Sequence, residues 1–386
     1  MLGHLRALSW RFEADGRTVW AIAPYGEPVL RPDGTVAYCP RMAAESGIEG
    51  WSCVDDCARA SLLALEITER DERASTGPDA EATRAAALEW AERWMTFVRY
   101  MQLDDGRFAN FVLDTTGERN LTGPTSFAGG AWWTGRALWA LARYFRITGS
   151  EWALAAWARC PIPQLDREGK LLGLFALAGM ELLRIDGSTL APTLRAGLQA
   201  EQVTTRALVS QWIDALVESF DGYFRDAPGR EGTPLWGYHQ LHAVASAARA
   251  LGRDDLVAPC VATVRNLVEP AIADGGWYAL DPVLGPVRNG MTAYCMSSLV
   301  QGLAALYDVT GDDHYRTLAL DGAEWLYGRN TARAVLYDAE TGSCLDGLSG
   351  PEGDQPSPDR GAESAIEAGF MELVRRRLAT GAGRGQ

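Results

Sequence analysis

Apolar residues recur at intervals of three and four along most of the chain, from about residue 54 to residue 379. This is the period of an α-helix that buries one face. It predicts twelve helices, at 54–69, 81–103, 130–148, 150–158, 168–185, 189–197, 199–220, 237–252, 254–269, 290–309, 313–328 and 361–379. The segments between them are rich in turn-forming residues. Residues 1–50 lack this period and are punctuated by Pro and Gly, so we expect an irregular segment there.

The predicted helices are of two kinds. "AGGAWWTGRALWALARYF" and "GMTAYCMSSLVQGLAALY" are small and apolar nearly all round, whereas "ATRAAALEWAERWMTFVRY" carries its charges on one face. Helices of the first kind lie inside a fold, and helices of the second kind cover them. About six such pairs predict an all-α (α/α)6 barrel, formed by residues 1–386 as a single domain. The longest loop, 336–361, is expected to form a flap over a cleft at one end.

Composition and net charge disfavour some classes of binding partner. With 47% hydrophobic residues in 386, the chain can bury a large core. Its net charge of -14 disfavours nucleic acids and anionic membranes, which are bound by clusters of Lys and Arg. No run of about 18 apolar residues occurs, and the first twenty residues lack the pattern of a secretion signal. We therefore expect a soluble cytoplasmic protein; its oligomeric state is not indicated.

The cysteines give no sign of a disulfide framework. There are seven, an odd number, at positions 39, 53, 57, 160, 260, 295 and 344. Their spacing fits neither paired disulfides nor a zinc ribbon, and we expect reduced thiols. The sequence indicates no metal site and no cofactor.

The stretch "EGWSCVDDCARASLLAL", residues 49–65, places two carboxylates at the start of an apolar helix. Asp is favoured there because it caps unpaired N–H groups and interacts well with the helix dipole. Arg59 follows Asp55 and Asp56 at helical spacing and is within reach of either. A carboxylate in this position has a lowered pKa and suits a base, a nucleophile or an acceptor of sugar hydroxyls. Cap plus ion pair is the alternative; we expect Asp56 to be held by Arg59 and Asp55 to reach substrate.

A proton donor would have to come from another part of the chain. Glu363 begins the last inner helix, at an equivalent place on the barrel rim. In "WGYHQLHAVASAARAL", Tyr238 and His239 are candidate donors, and His242 lies on a neighbouring position of the same helix. Several of the fourteen Trp lie in or beside loops, where their faces could stack on sugar rings.

Six strings of sequence resemble a known family. "EGWSCVDDCARASL" is similar to the Gly-Tyr-Cys-x-Asp-Asp-Asn-Ala-Arg-Ala-Leu signature of a bacterial family of six-hairpin, glycosidase-like proteins that often accompany sugar-transfer genes. "DGRFANFVLD", "GRALWALARYF", "VTGDDHY", "WLYGRNTARAVLYDAETGSCLDGL" and "RGAESAIEA" continue the resemblance in the same order, over about residues 45–378. The resemblance implies an (α/α)6 barrel and a carbohydrate-related substrate.

The chain departs from this family at two acidic positions. Ala131 and Trp132 stand where the family has a Glu-Asp pair. The run from Asn289 to Ala293 replaces Gln-Gln-Pro-Ile-Glu-Ala, with Thr292 at the place of the Glu. If those carboxylates serve as acid or base in the family, this chain has lost that chemistry or moved it.

The residue types and the resemblance together predict a sugar site. The candidate catalytic residues are Asp55, Asp56, Tyr238, His239 and Glu363. The candidate substrate contacts are Trp51, Arg59, Phe108, Asn110, Trp132, Trp133, Arg136, Trp236, His242, Asn289, Tyr294, Asp346 and Arg360. The expected partner is a small sugar or glycoside.

Three classes of function remain open. The first is a glycoside hydrolase-like enzyme in which Asp55 or Asp56 faces Glu363 across the cleft. The second is an epimerase, lyase or cyclase on the same barrel: "YHQLH" resembles the uronyl C5-epimerase fold, and "CVDDCARA" resembles the Val-Asp-Asp-Thr-Ala core of protonating terpene cyclases, with Cys53 in place of its first Asp. The third is a non-catalytic sugar-binding protein, which the two lost acidic positions would explain.

Overall fold

The computed structural model describes residues 1–34, 36–41, 49–74, 78–165, 167–227 and 232–380. Its α-helices are α1 (Gly3–Ala7), α2 (Val54–Ala74), α3 (Pro78–Tyr100), α4 (Ala131–Thr148), α5 (Glu151–Arg159), α6 (Gly169–Leu183), α7 (Pro192–Glu218), α8 (Gln240–Leu251), α9 (Val257–Thr263), α10 (Glu269–Ala273), α11 (Ala293–Thr310), α12 (Asp313–Ala323) and α13 (Ala362–Ala379). Short 3-10 helices span Asp254–Leu256 and Glu324–Leu326, and a π-helix, Val264–Val268, joins α9 to α10.

Six of these helices form a ring. Helix α2 packs on α4, α4 on α6, α6 on α8, α8 on α11, α11 on α13, and α13 on α2. Helices α3, α5, α7, α9 and α12 each pack against the inner helix that precedes them, and α1 packs against α13. Burial follows this division: α6 is buried from Gly169 to Leu182, whereas α7 buries only one seam of side chains. The predicted alternation of inner and outer helices is confirmed.

The two helices predicted at 189–197 and 199–220 are a single helix, α7, so this prediction is wrong. Leu198, in the predicted gap, is the first of a buried seam that continues through Thr205, Val209, Ile213 and Leu216. Gly197 beside it faces open space. A glycine inside a helix costs only about 1 kcal/mol relative to Ala, which a long helix with a buried seam tolerates.

The strands are short, apart from those near the start of the chain. They are β1 (Ser9–Ala14), β2 (Arg17–Ile22), β3 (Tyr25–Leu30), β4 (Val36–Arg41), β5 (Ser52–Cys53), β6 (Phe111–Val112), β7 (Thr233–Pro234), β8 (Ala279–Asp281), β9 (Gly285–Val287), β10 (Met291–Thr292), β11 (Tyr337–Asp338), β12 (Ser343–Cys344), β13 (Gly347–Ser349) and β14 (Gln355–Pro356). The sheets pair β1 with β2, β3 with β4, β5 with β6, β7 through β9 in order, β11 with β12, and β10, β13 and β14 in order.

The prediction of an irregular segment over residues 1–50 is wrong for its described part, which holds α1 and two antiparallel hairpins. Asp15 and Gly16 form the two-residue loop of the first hairpin, and both have positive φ. An Asp-Gly pair is a strong signal for this type of turn, because its backbone twist matches that of the flanking strands.

The segment predicted as a flap, 336–361, contains the four strands β11 to β14 and no helix. Asp346, between β12 and β13, accepts hydrogen bonds from the Tyr25 hydroxyl at 2.5 Å and from the backbone N–H of Gly361 at 2.6 Å. These bonds fix the segment against hairpin β3–β4 and the start of α13.

One hydrophobic cluster includes residues from Leu5 to Leu378 and fills the ring. All seven cysteines are free, and six of them are buried. Among the described residues, one continuous helical run is long and apolar enough to cross a membrane by length and composition alone. It is Asp254–Ala273, from the first 3-10 helix through α9 and the π-helix to α10, and 44% of its most apolar 18-residue stretch is buried in the fold. Core helices of soluble proteins meet the same criterion, so this helix is weak evidence for a membrane span.

Candidate functional site

The six inner helices begin at the same end of the ring, as contacts between residues at their starts show. Each of these helices places a polar or aromatic side chain there. They are Asp55 on α2, Trp132 on α4, Lys170 on α6, His239 before α8, Tyr294 on α11 and Glu363 on α13. The N-terminal end of a helix carries partial positive charge, so this end of the ring favours carboxylates. The two departures from the family signature, at Ala131 and Thr292, also lie at this end.

Arg59 is at the centre of the cluster and contacts four carboxylates. Its Nη2 lies 2.8 Å from Asp55 Oδ2, 3.0 Å from Asp56 Oδ1 and 3.1 Å from Glu363 Oε2. Its Nη1 lies 3.0 Å from Glu367 Oε1. The expectation that Arg59 holds Asp56 is confirmed, but the arginine holds Asp55 as well. A buried guanidinium needs such partners, since an unpaired buried charge costs several kcal/mol.

A second arginine contacts Asp55 from the other side. Arg136 Nε lies 3.2 Å from Asp55 Oδ1. The guanidinium carbons of Arg59 and Arg136 each lie 5.1 Å from the ring centroid of Tyr294, in cation–π contact. Burial lowers the pKa of Arg136, and the Asp55 carboxylate opposes that effect. Asp55 is therefore held between two arginines that both pack on the ring of Tyr294.

The buried carboxylates of the cluster do not have the lowered pKa expected for the start of a helix. Burial raises the pKa of Asp56 to about 6, against the opposing effect of Arg59. Burial also raises the pKa of Glu367, whose Oε2 accepts a hydrogen bond from Ser297 Oγ at 2.7 Å. The expectation of a lowered pKa is wrong for Asp56, because desolvation of a nearly inaccessible carboxylate outweighs the arginine and the helix dipole.

Two of the four carboxylates reach solvent. The side chains of Asp55 and Glu363 are 20% and 31% exposed, against 7% for Asp56 and 2% for Glu367. Asp55 Oδ2 and Glu363 Oε2 both contact Arg59 Nη2, at 2.8 and 3.1 Å, so these two oxygens lie no farther apart than about 6 Å. This upper limit is below the roughly 6.5–9.5 Å between the carboxyl groups of inverting glycosidases.

Two indoles stand beside the exposed carboxylates. The rings of Trp132 and Trp236 are 5.3 Å apart, and both are half-buried. Trp236 Nε1 donates to Glu363 Oε1 at 3.0 Å, and Lys170 Nζ lies 5.7 Å from each indole. Trp51 is half-buried too. Partly exposed indoles next to carboxylates are the combination that sugar sites use, because the ring packs on C–H faces while the carboxylate accepts hydroxyl hydrogen bonds.

The three predicted site residues of "YHQLH", Tyr238, His239 and His242, lie in three different environments. His239 Nε2 lies 2.7 Å from the Tyr294 hydroxyl, and burial holds the pKa of His239 well below its usual range, so the ring is neutral. Tyr238 is fully buried and donates its hydroxyl hydrogen to Phe224 O at 2.7 Å, and burial raises its pKa well above the usual range. His242 lines a cavity farther along the ring. The prediction that Tyr238 joins His239 as a proton donor is wrong; Tyr294 is the tyrosine that contacts His239.

Several predicted contacts are structural supports. Asn110 is buried, and its Oδ1 accepts the backbone N–H of Asp55 at 3.3 Å, which caps α2. Trp133 is buried and donates to the carbonyl of Phe108, which is also buried.

Three of the predicted substrate contacts lie outside the cluster around Arg59. Asp346 supports the flap, as described above, and burial raises its pKa. Arg360 is exposed and donates to Ser343 Oγ at 2.8 Å. Asn289 is exposed in the turn between β9 and β10.

Glu367, Ser297 and Lys170 also belong to the cluster, although they are not among the residues predicted from the sequence. Glu367 follows Glu363 by four residues in "RGAESAIEA", and therefore lies on the same face of α13. That spacing could have identified it. Ser297 and Lys170 carry no comparable local signal. In the described part of the chain, no group of three or more His, Cys, Asp and Glu side chains could hold a metal ion.

A scan against protein-family models and a search of curated proteins found no match. Solved structures do match. A sugar epimerase from a ruminal bacterium is 14% identical with a TM-score of 0.59, over 87% of this chain and 94% of that one. The cellobiose 2-epimerase of Bacillus thermoamylovorans B4167 is 13% identical with a TM-score of 0.59, over 91% and 92%.

A third match is an alpha-1,6-mannanase of Salegentibacter sp. HEL1_6, in an inactive form with two consecutive aspartates changed to asparagine and in complex with alpha-1,6-mannotriose. It is 14% identical with a TM-score of 0.50, over 84% of this chain and 89% of that one. At such identities the likeness establishes the fold alone. The chain therefore has the six-hairpin, glycosidase-like (α/α)6 fold that its sequence predicts.

Proposed function

We propose that the protein is an enzyme that acts on a sugar or a glycoside bound at the N-terminal ends of the inner helices. The observation that carries this proposal is the pair of solvent-exposed carboxylates, Asp55 and Glu363, beside the half-buried indoles of Trp132 and Trp236. The neighbours by fold support it, since they are named as epimerases and a mannanase.

Asp55 is the proposed base. Its two oxygens contact Arg59 and Arg136 at 2.8 and 3.2 Å, and a carboxylate paired in this way accepts protons or hydroxyl hydrogen bonds rather than donating them. Glu363 accepts hydrogen bonds from Trp236 and Arg59. Because its side chain is 31% exposed, its remaining acceptor capacity can serve a sugar hydroxyl.

Proton transfer at a sugar carbon, as in an epimerase or isomerase, is the reaction that this arrangement supports best. Hydrolysis needs a protonated acid at the leaving oxygen. Among the described residues, the side-chain partners of Asp55 and Glu363 are all hydrogen-bond donors, and Arg59 is shared by both. Neither an epimerase nor an isomerase loses a leaving group. In an isomerase a single base can move the proton between two neighbouring carbons on one face of the sugar, whereas an epimerase must return the proton to the opposite face, which needs a second proton carrier or a turn of the deprotonated sugar.

Glycoside hydrolysis is the second candidate, and one observation favours it. The separation of the Asp55 and Glu363 oxygens, within about 6 Å, is compatible with a retaining mechanism. The consecutive Asp55 and Asp56 also parallel the two consecutive aspartates that are replaced in the inactive mannanase.

The test is a panel of reducing monosaccharides, disaccharides and glycosides incubated with the protein in D2O and followed by NMR and mass spectrometry. Epimerisation or isomerisation gives a new sugar with deuterium at the carbon next to the carbonyl. Hydrolysis gives a new reducing end without that exchange. Saturable binding without turnover would contradict the enzymatic proposal in favour of a binding protein, and a panel with neither binding nor turnover would contradict both.

The control variants separate this site from the rest of the protein. Asp55→Asn and Glu363→Gln should reduce turnover. Asp214→Asn removes an aspartate that is paired with Arg253 on the outer surface, 2.9 Å away, and should leave turnover unchanged.

A further inference from the structure

A polar cavity lies inside the ring, near the C-terminal ends of the inner helices. All six inner helices line it, and its volume is about 180 Å³. Trp139 separates it from the site above, because the indole lies 6.2 Å from the ring of His239 on one side and 6.2 Å from the ring of His242 on the other. The cavity has room for about six water molecules, or for a ligand of similar size.

The wall of this cavity is rich in arginine, although the chain as a whole carries a net charge of -14. Arg143, Arg184, Arg249 and Arg377 line it, against three carboxylates. Those carboxylates already have partners. Arg143 Nη1 lies 3.2 Å from Glu66 and its Nη2 3.0 Å from Glu181, while Arg377 Nη1 lies 2.7 Å from Asp308.

The other two arginines lack such partners. Within the described residues, the guanidinium groups of Arg184 and Arg249 form no hydrogen bond and no ion pair. These two guanidinium groups are therefore available to a ligand, and the lining as a whole, with four arginines and three carboxylates, has an excess of one positive charge.

Unsatisfied donors point to the same conclusion. Trp139 Nε1, Arg143 Nε and Arg377 Nε are buried and have no hydrogen-bond partner in the described part of the protein. Trp139 and Arg143 are only 8% and 9% exposed. A buried donor without a partner costs about 1–3 kcal/mol, so three around one cavity favour an occupant that accepts hydrogen bonds.

We propose that this cavity is a binding site for a small oxyanion of the phosphate class. Such an anion offers mainly acceptors, matching a wall with surplus donors, and its charge is attracted by Arg184 and Arg249. Guanidinium groups bind tetrahedral oxyanions through paired N–H donors, which a neutral sugar or water cannot exploit to the same extent. The volume of about 180 Å³ admits inorganic phosphate.

The test is calorimetric titration of the full chain with inorganic phosphate, sulfate and acetate at constant ionic strength and neutral pH. We expect one saturable site for phosphate, with sulfate binding in competition. Arg184→Gln and Arg249→Gln are each expected to raise the Kd at least about fivefold, and the double variant to abolish binding. Both residues are exposed, so the variants should fold.

Two controls make the result decisive. Arg206→Gln, on the exposed face of α7, changes the net charge equally and should leave the Kd unchanged. Asp55→Asn should bind phosphate as the parent does, which separates this inference from the proposed sugar site. Absence of saturable phosphate binding, binding of acetate alone, or an unchanged Kd in the double variant would overturn the proposal.

Discussion

Replacing Asp56 by Asn should make the protein more stable at neutral pH, although it removes an ion pair. Asp56 is 5% exposed, and burial raises the pKa of its carboxyl from 3.8 to about 6 even with Arg59 beside it. The folded protein therefore binds this proton more tightly than the unfolded chain does. Proton binding by Asp56 stabilises the folded protein fully below the pKa of this carboxyl in the unfolded chain. The stabilisation is lost as the pH rises through its pKa in the folded protein, so the free energy of unfolding falls between about pH 4 and pH 6.

The size of the effect follows from the pKa difference. Each pH unit corresponds to 1.36 kcal/mol, so a shift of about two units amounts to about 3 kcal/mol of lost stability at pH 7. Asn has nearly the same volume, carries no charge and keeps an oxygen that can accept from Arg59 Nη2, now 3.0 Å from Asp56 Oδ1. The Asp56→Asn variant should match the parent near pH 4 and exceed its stability by up to about 3 kcal/mol at pH 7.

Urea unfolding of both proteins at half-unit steps from pH 4.5 to pH 7.5 measures this difference. The pKa values of Glu367 and Asp346 are also raised by burial, but they are common to both proteins and cancel in the comparison. Asp214→Asn, at a surface ion pair, should show no such trend. A variant that is less stable than the parent by the same amount at every pH would refute the reasoning.

Three further results are expected. Asp55→Asn should lower turnover on the order of a hundredfold with stability changed by roughly 1 kcal/mol, and full activity with a large loss of stability would instead identify Asp55 as a cap. Arg59→Met should cost about 3–5 kcal/mol in urea unfolding at pH 7 and less at pH 5, where the buried carboxylates take up protons; a pH-independent loss would contradict this explanation. Thiol titration should find seven free thiols after denaturation and one rapidly reacting thiol, Cys39, in the native protein, and two or more thiols still blocked after denaturation would contradict the expected reduced state.

The architecture could be predicted because its signal is local. Helical period and the contrast between all-apolar and two-faced segments identify inner and outer helices without any knowledge of tertiary contacts. The two errors also have local causes. Gly197 suggests a break in a helix that its buried seam keeps continuous, and the Asp15-Gly16 pair is a hairpin signal that a helical period does not reveal.

The site could be predicted only in part, because its decisive contacts are distant in sequence. The spacing from Asp55 and Asp56 to Arg59 is visible locally, whereas Glu363 and Glu367 reach the same guanidinium from 304 and 308 residues away. Burial is likewise a tertiary property. It reverses the expected direction of the Asp56 pKa, and it removes Tyr238 from a site to which sequence proximity to His239 had assigned it.

The orientation of the six inner helices favours carboxylates at one end of the ring and cations at the other. Asp55, Asp56 and Glu363 lie in the first turns of α2 and α13, and Arg249 and Arg377, in the last turns of α8 and α13, line the cavity at the opposite end. A hydrogen-bond chain connects the two ends.

This series of hydrogen bonds begins at Gln301, which lines the cavity and donates to Ser297 at 2.9 Å. Ser297 donates to Glu367 at 2.7 Å, and Glu367 accepts from Arg59 at 3.0 Å. Arg59 in turn holds Asp55. This hydrogen-bond chain links the proposed sugar site to the cavity, and it joins Gln301, Ser297, Glu367 and Arg59 in one network rather than in separate pairs.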